Sequence, residues 1–128
     1  MRRLLLLAIV VATSALAQTH SNVLTWGLPT TGDPPTGYHV WRGTGTTFAA
    51  ACATLPAPGA AVPAGTAYAT VAAPSLTYTD TAVVAGQNSC YEVSAFNTGG
   101  ESVLSNNTGG TTPSFPPGVP TSLSVVSK

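Results

Sequence analysis

The stretch Tyr78–Asn106, YTDTAVVAGQNSCYEVSAFNTGGESVLSN, decides the fold. Tyr91, Val93 and Ala95 alternate with Cys90, Glu92, Ser94 and Phe96. A side-chain period of two puts these sets on opposite faces of one strand. Asn97 to Gly100 then supplies turn chemistry, because Asn and Gly tolerate positive φ. Val103-Leu104-Ser105 reads as the returning antiparallel strand. The whole is the closing hairpin of a small β-sandwich.

The rest of the chain extends the same pattern. No run keeps a helical period, and 11 prolines and 13 glycines punctuate short β-prone runs, which is the all-β signature. Leu24-Thr25-Trp26 opens the sandwich, with Leu24 and Trp26 on one face. Residues 29–37 form a turn cluster. In Tyr38-His39-Val40-Trp41-Arg42, Tyr38 and Val40 share one face, His39 and Trp41 the other. Ala67–Val71 and Leu76-Thr77-Tyr78 read as two further short strands. The expected core is Leu24, Trp26, Tyr38, Val40, Leu76, Tyr78, Tyr91 and Val93. Gly43 to Gly65 is long for a loop in a compact domain. Within it FAAACATL, residues 48–55, favours one or two helical turns, since alanine is the best helix former.

The N-terminus reads as an export signal, residues 1–17. Arg2 and Arg3 precede an apolar run, LLLLAIVVA, and Ala15-Leu16-Ala17 fits the small-residue cleavage rule. The apolar run is too short for a membrane span, which needs about 20 residues. Removing 17 of the 128 residues leaves 111, one domain with a modest core. That mature chain keeps Arg42 and Lys128 against Asp33, Asp80, Glu92 and Glu101, a side-chain charge of −2. It has no basic patch, which argues against nucleic acid and anionic membranes as partners. The expected location is extracellular or periplasmic, with no membrane insertion after cleavage.

Cys52 and Cys90 are an even pair in an exported chain, which reads as a disulfide. The alternative is two free thiols. A bridge closes a loop of 38 residues, stabilising by roughly 4 kcal/mol on chain-entropy grounds. It would also tether the insertion.

Four pieces together resemble a fibronectin type III domain: Leu24-Thr25-Trp26, Tyr38-His39-Val40-Trp41-Arg42-Gly43, Tyr78-Thr79-Asp80-Thr81, and Tyr91-x-Val93-x-Ala95-x-Asn97 followed by Gly100-Glu101-Ser102 and Ser105-Asn106. The wording is similar to bacterial and phage versions of the family. The resemblance implies an all-β, immunoglobulin-like sandwich of about seven strands over residues 18–112, then a Pro-rich linker and one further strand over 113–128. There are departures. Asn22 stands where the family has an apolar residue. Ser89 stands where it has its corner tyrosine, so a loose corner before strand F is expected. The family's first strand is missing at the front, yet PPGVPTSLSVV at the far end looks like it. Three alternatives follow: the segment fills that place in its own domain, fills it in another copy by strand exchange, or begins a second domain.

No catalytic chemistry is legible. There is no nucleophile elbow or phosphate loop, no metal-ligand spacing and no facing carboxylate pair, so neither enzymatic activity nor a cofactor is expected. The candidate binding residues are His39, Trp41, Glu92 and Phe96, which the resemblance places on one outer sheet face. An exposed aromatic with polar neighbours binds a sugar ring or a protein; alternatively the insertion covers Trp41. The resemblance implies a secreted interaction or adhesion module whose partner is a protein or glycan. The alternative is a carbohydrate-binding accessory domain of a bacterial polysaccharide-processing or phage-related system.

Overall fold

A computed structural model describes residues 20–105 and 119–128. The expected export signal (1–17), the end of the expected domain (106–112) and most of the Pro-rich linker (113–118) lie outside the described residues. Two antiparallel sheets form a sandwich. The strands are β1 (Asn22–Gly27), β2 (Gly37–Gly45), β3 (Ala69–Ala72), β4 (Thr77–Asp80), β5 (Asn88–Asn97), β6 (Gly100–Glu101) and β7 (Thr121–Ser127), with one short helix, α1 (Phe48–Cys52). One sheet has the order β4-β1-β7, the other β3-β2-β5-β6.

Alternation along β1, β2 and β5 builds the core. Leu24, Trp26, Tyr38, Val40, Tyr91, Val93 and Ala95 are buried together. Leu76, Tyr78, Val71 and Leu123 pack around them, half-buried. Trp26 and Tyr38 meet tilted, with ring centroids 5.3 Å apart, a favourable aromatic geometry. Within this core the Tyr38 hydroxyl and the Trp26 indole N–H have no hydrogen-bond partner among the described residues.

The C-terminal segment pairs within its own sandwich. β7 runs antiparallel to β1, with Leu24 opposite Val125 and Asn22 opposite Ser127. Leu123 turns inward onto the core, and Thr25 and Ser124 join through their hydroxyls at 2.7 Å. A register shift between Thr25 and Gly27 bends the pair.

The return after the hairpin differs from expectation. β6 is only two residues long, and Val103-Leu104-Ser105 is not a regular strand. The reason is local. Ser102 N–H donates to the Ala95 carbonyl, but the Ala95 N–H is met by the Ser102 hydroxyl at 2.9 Å. Ser105 repeats the pattern on Val93, accepting its N–H through Oγ at 3.0 Å. Serine side chains thus replace half of the backbone ladder, and Leu104 is still fully buried. The third strand is also displaced, starting at Ala69 rather than Ala67.

The insertion folds onto the outer face of β2. Thr47 caps α1 by accepting the Ala50 N–H at 3.1 Å. The helix lies so close to β2 that a Cβ at Gly43 would sit 2.2 Å from the Ala51 carbonyl oxygen. Cys52 and Cys90 are disulfide-bonded, which anchors the helix to β5.

Two outcomes test this arrangement. Tyr38→Phe removes a buried hydroxyl that bonds to none of the described residues, so urea unfolding should show a gain of about 1 kcal/mol. Deleting residues 119–128 removes β7 and should lower the melting temperature of the monomer by at least about 5 °C; an unchanged value would refute the structural role of β7.

Candidate functional site

Asp80 ends β4 and is fully buried. Arg42 Nη1 and the Tyr91 hydroxyl each donate to its Oδ2 at 2.7 Å. The Tyr68 hydroxyl and the Ala82 N–H each donate to Oδ1 at 2.9 Å. The guanidinium also lies 4.2 Å over the Tyr68 ring, a cation–π contact. Burial alone would raise the Asp80 carboxyl, but the bonds from Arg42, Tyr91, Ala82 and Tyr68 hold it below its usual range. Burial and the bond to Asp80 push the Tyr68 hydroxyl up to about 12. Every lone pair is spent inside the fold, so this cluster is a lock rather than a reactive centre. At this corner Tyr91 bonds Asp80, and the Ser89 side chain hydrogen-bonds Tyr91. Asn22, the unexpected polar residue, donates to the Tyr91 hydroxyl at 2.9 Å.

His39, Trp41, Glu92 and Phe96 do share the outer face of the β2–β5 sheet. His39 stacks on Phe96 with centroids 4.4 Å apart and meets Trp41 edge-on at 6.2 Å. Of the two readings of this face, an exposed platform or one covered by the insertion, the covered one is observed. Trp41 is only 7% exposed and Glu92 only 3%, because α1 covers this face beyond them at Gly43 and Gly45. The Trp41 indole donates to Ser94 Oγ at 3.0 Å. Ser94 in turn donates to Glu101 Oε1 at 2.5 Å, and His39 Nδ1 reaches the same oxygen at 2.7 Å.

Ser94, His39 and Glu101 are the residue types of a nucleophilic triad without its connectivity. In a triad the imidazole takes the serine proton. Here the hydroxyl bonds to the carboxylate instead, and Ser94 is fully buried. Sequence reasoning missed Glu101 as a partner of His39. The signal was the tight turn, which places Glu101 opposite Phe96. Among the described residues, no group of three His, Cys, Asp or Glu side chains is arranged to hold a metal ion, and no helix is long and apolar enough to cross a membrane.

What sequence reasoning missed entirely is a groove of about 910 Å³ between the insertion, the first half of β5 and β7. That volume lies within the range of ligand pockets. Its walls include Phe48, Leu55 and Pro56 on one side and Leu123 and Val125 on the other. Phe48 is 62% exposed. Glu92 also lines it, and its Oε2 is buried without a hydrogen-bond partner among the described residues. Burial pushes the Glu92 carboxyl up to about 7.

The two acids bend stability in opposite directions with pH. Glu92 rises from an ordinary 4.5 to about 7 on folding. Over that window the folded chain holds the extra proton, so stability falls as pH rises, by about 3 kcal/mol once pH exceeds 7. The Asp80 contribution is complete above about pH 4 and is lost as pH falls through its depressed value. The melting temperature should therefore peak at roughly pH 4 to 5 and decline toward pH 8. Glu92→Gln should abolish the decline; a flat wild-type profile between pH 5 and pH 8 would show that Glu92 is solvated.

Comparison with protein-family models, curated proteins and solved structures returned no match.

Proposed function

We propose that the chain is a secreted, fibronectin type III-like interaction module, of the bacterial or phage kind, that binds a macromolecule and transforms none. The observation that carries this reading is the groove. A two-sheet sandwich has no need of the 43–65 insertion for its core. Yet that insertion is capped, disulfide-anchored and laid beside β5 so that Phe48, Leu55 and Pro56 stand along an open cleft. Apolar walls with a few placed polar groups are the usual composition of a binding site. The position of β7 beside β1 supports the fibronectin type III reading, since that is where the family's first strand belongs. The disulfide supports an oxidising compartment.

Phe48 favours a second reading, carbohydrate binding, because an exposed ring on a cleft wall is a stacking surface for a sugar.

The purified, disulfide-intact chain should bind saturably to at least one component when screened against a glycan array and against fractionated bacterial envelope proteins. Phe48→Asp, at an exposed position, should weaken that binding at least tenfold with the melting temperature unchanged. Binding indifferent to Phe48→Asp would remove the groove from the function, and absence of any saturable ligand would overturn the interaction reading itself.

A further inference from the structure

We propose that the Asp33–Pro34 peptide bond is an acid-triggered self-cleavage site, and that cutting it leaves the sandwich standing as two noncovalently joined pieces.

The chemistry of the bond carries the first part of the argument. Asp33–Pro34 is the one Asp–Pro pair of the chain. Its nitrogen belongs to the proline ring, a tertiary amide, which takes a proton more readily than an ordinary peptide nitrogen. The Asp33 carboxyl reaches its own main-chain carbonyl carbon by closing a small unstrained ring, and such proximity favours attack. A side-chain oxygen bonds to that carbon, and the carbon–nitrogen bond to Pro34 breaks. The nitrogen takes a proton from solution and leaves as a secondary amine. Water then opens the cyclic anhydride on Asp33. The net change is one water added across one peptide bond, with no redox step.

The fold leaves this bond free to react. Asp33 and Pro34 are both exposed, in the bend between β1 and β2. Gly32 turns the chain there with a φ of 78°. β1 ends at Gly27 and β2 begins at Gly37, so the bond lies in neither ladder. The other aspartate, Asp80, is followed by Thr81 and has four donors on its carboxylate. The ionisable groups packed near the turn are engaged elsewhere. Thr36 donates its N–H to the Phe96 carbonyl at 2.8 Å, and Asn97 Nδ2 donates to the Pro34 carbonyl at 3.5 Å. The acid of that hairpin, Glu101, is taken by His39 and Ser94. Ala73 donates to the Thr36 carbonyl, and residues 69–77 around it hold no ionisable side chain, nor does β1.

The topology decides what a cut does. Cys52 and Cys90 both follow it, so the disulfide does not join the two pieces. β1 is nonetheless the middle strand of its sheet, paired with β4 on one side and β7 on the other. Leu24 and Trp26 are buried in the core. Asn22 donates to the Tyr91 hydroxyl, and the Thr77 hydroxyl donates to the Leu24 carbonyl, both at 2.9 Å. Burial of large side chains and a ladder on both edges hold a strand that has lost its chain link. The bonds to Phe96 and Asn97 keep the new end at Pro34 seated beside β2.

The test warms the full disulfide-bonded chain, below its unfolding transition, at about pH 4, near the stability maximum set by Asp80 and Glu92. The folded protein is then what reacts. Mass spectrometry should show a gain of one water. Denaturing electrophoresis without reductant should separate a piece ending at Asp33 from one beginning at Pro34. The rate should be at least about tenfold lower at pH 7, because the leaving nitrogen needs a proton. Asp33→Ala removes the attacking carboxyl and Pro34→Ala restores an ordinary amide; each should slow cutting at least about tenfold with the melting temperature unchanged. A blocked peptide of residues 29–37 gives the intrinsic rate, and the folded chain should reach at least about a tenth of it. A folded chain left intact while the peptide is cut, or a cut that persists in Asp33→Ala, would overturn the self-cleavage site. After neutralisation the two pieces should run as one species in gel filtration and melt cooperatively, below the uncut chain. Two separate species would overturn the two-piece assembly and leave the cleavage site standing.

Discussion

The carboxylate of Asp80 is where the two sheets are joined by something more directional than apolar contact. It sits at the end of β4 in one sheet and receives Arg42 from β2 and Tyr91 from β5 in the other. Desolvating a charge costs several kcal/mol, and attraction offsets that cost only when the remaining lone pairs are also satisfied. Here Tyr68 and Ala82 supply those bonds. Burial of Leu24 and Val40 is non-directional, whereas the four donors to Asp80 fix positions. Register and sheet-to-sheet angle depend on this residue.

The same interaction sets the electrostatics of everything else. Arg42 is the one arginine of the described residues, and Asp80 holds it on the inner face. The outer face of β2 and β5 is left with acids and no cation. Glu101 recruits His39 and Ser94. Glu92, two rungs from that network, gets neither. The unpartnered acid beside the groove is thus a consequence of how the core lock was built.

Several of these features were legible in the residues and others were not, for identifiable reasons. Period-two alternation exposed the paired faces of β2 and β5, because it follows directly from pleating. TSLSVVS read as a strand on the same ground. An even cysteine pair pointed to the bridge. Alternation put Trp41 and Glu92 on the outer face but cannot say what lies on top of a face, so exposure and cover by the insertion both stayed open; α1 covers that side. Gly43 and Gly45 were the clue: two glycines on the Trp41 face mark a close backbone approach. The bond from Tyr91 to Asp80 at the corner was not legible, because it joins residues of two different sheets. Val103–Ser105 misled for a subtler reason. Ser102 and Ser105 use side-chain oxygens where strand pairing uses carbonyls, and no propensity scale records that exchange. The groove depends on residues far apart in sequence and left no local trace.

β1 and β7 show what the order of the strands implies for time. Asn22 pairs with Ser127, and Leu24 with Val125, so an early strand waits on residues made about a hundred positions later. Contacts of such separation slow folding, since loop closure precedes any reward. A chain emerging from its N-terminus holds Leu24 and Trp26 without one flank until β7 arrives. Closure of the sandwich thus depends on its two most distant strands, so the β1–β7 pair is a late contact by sequence separation.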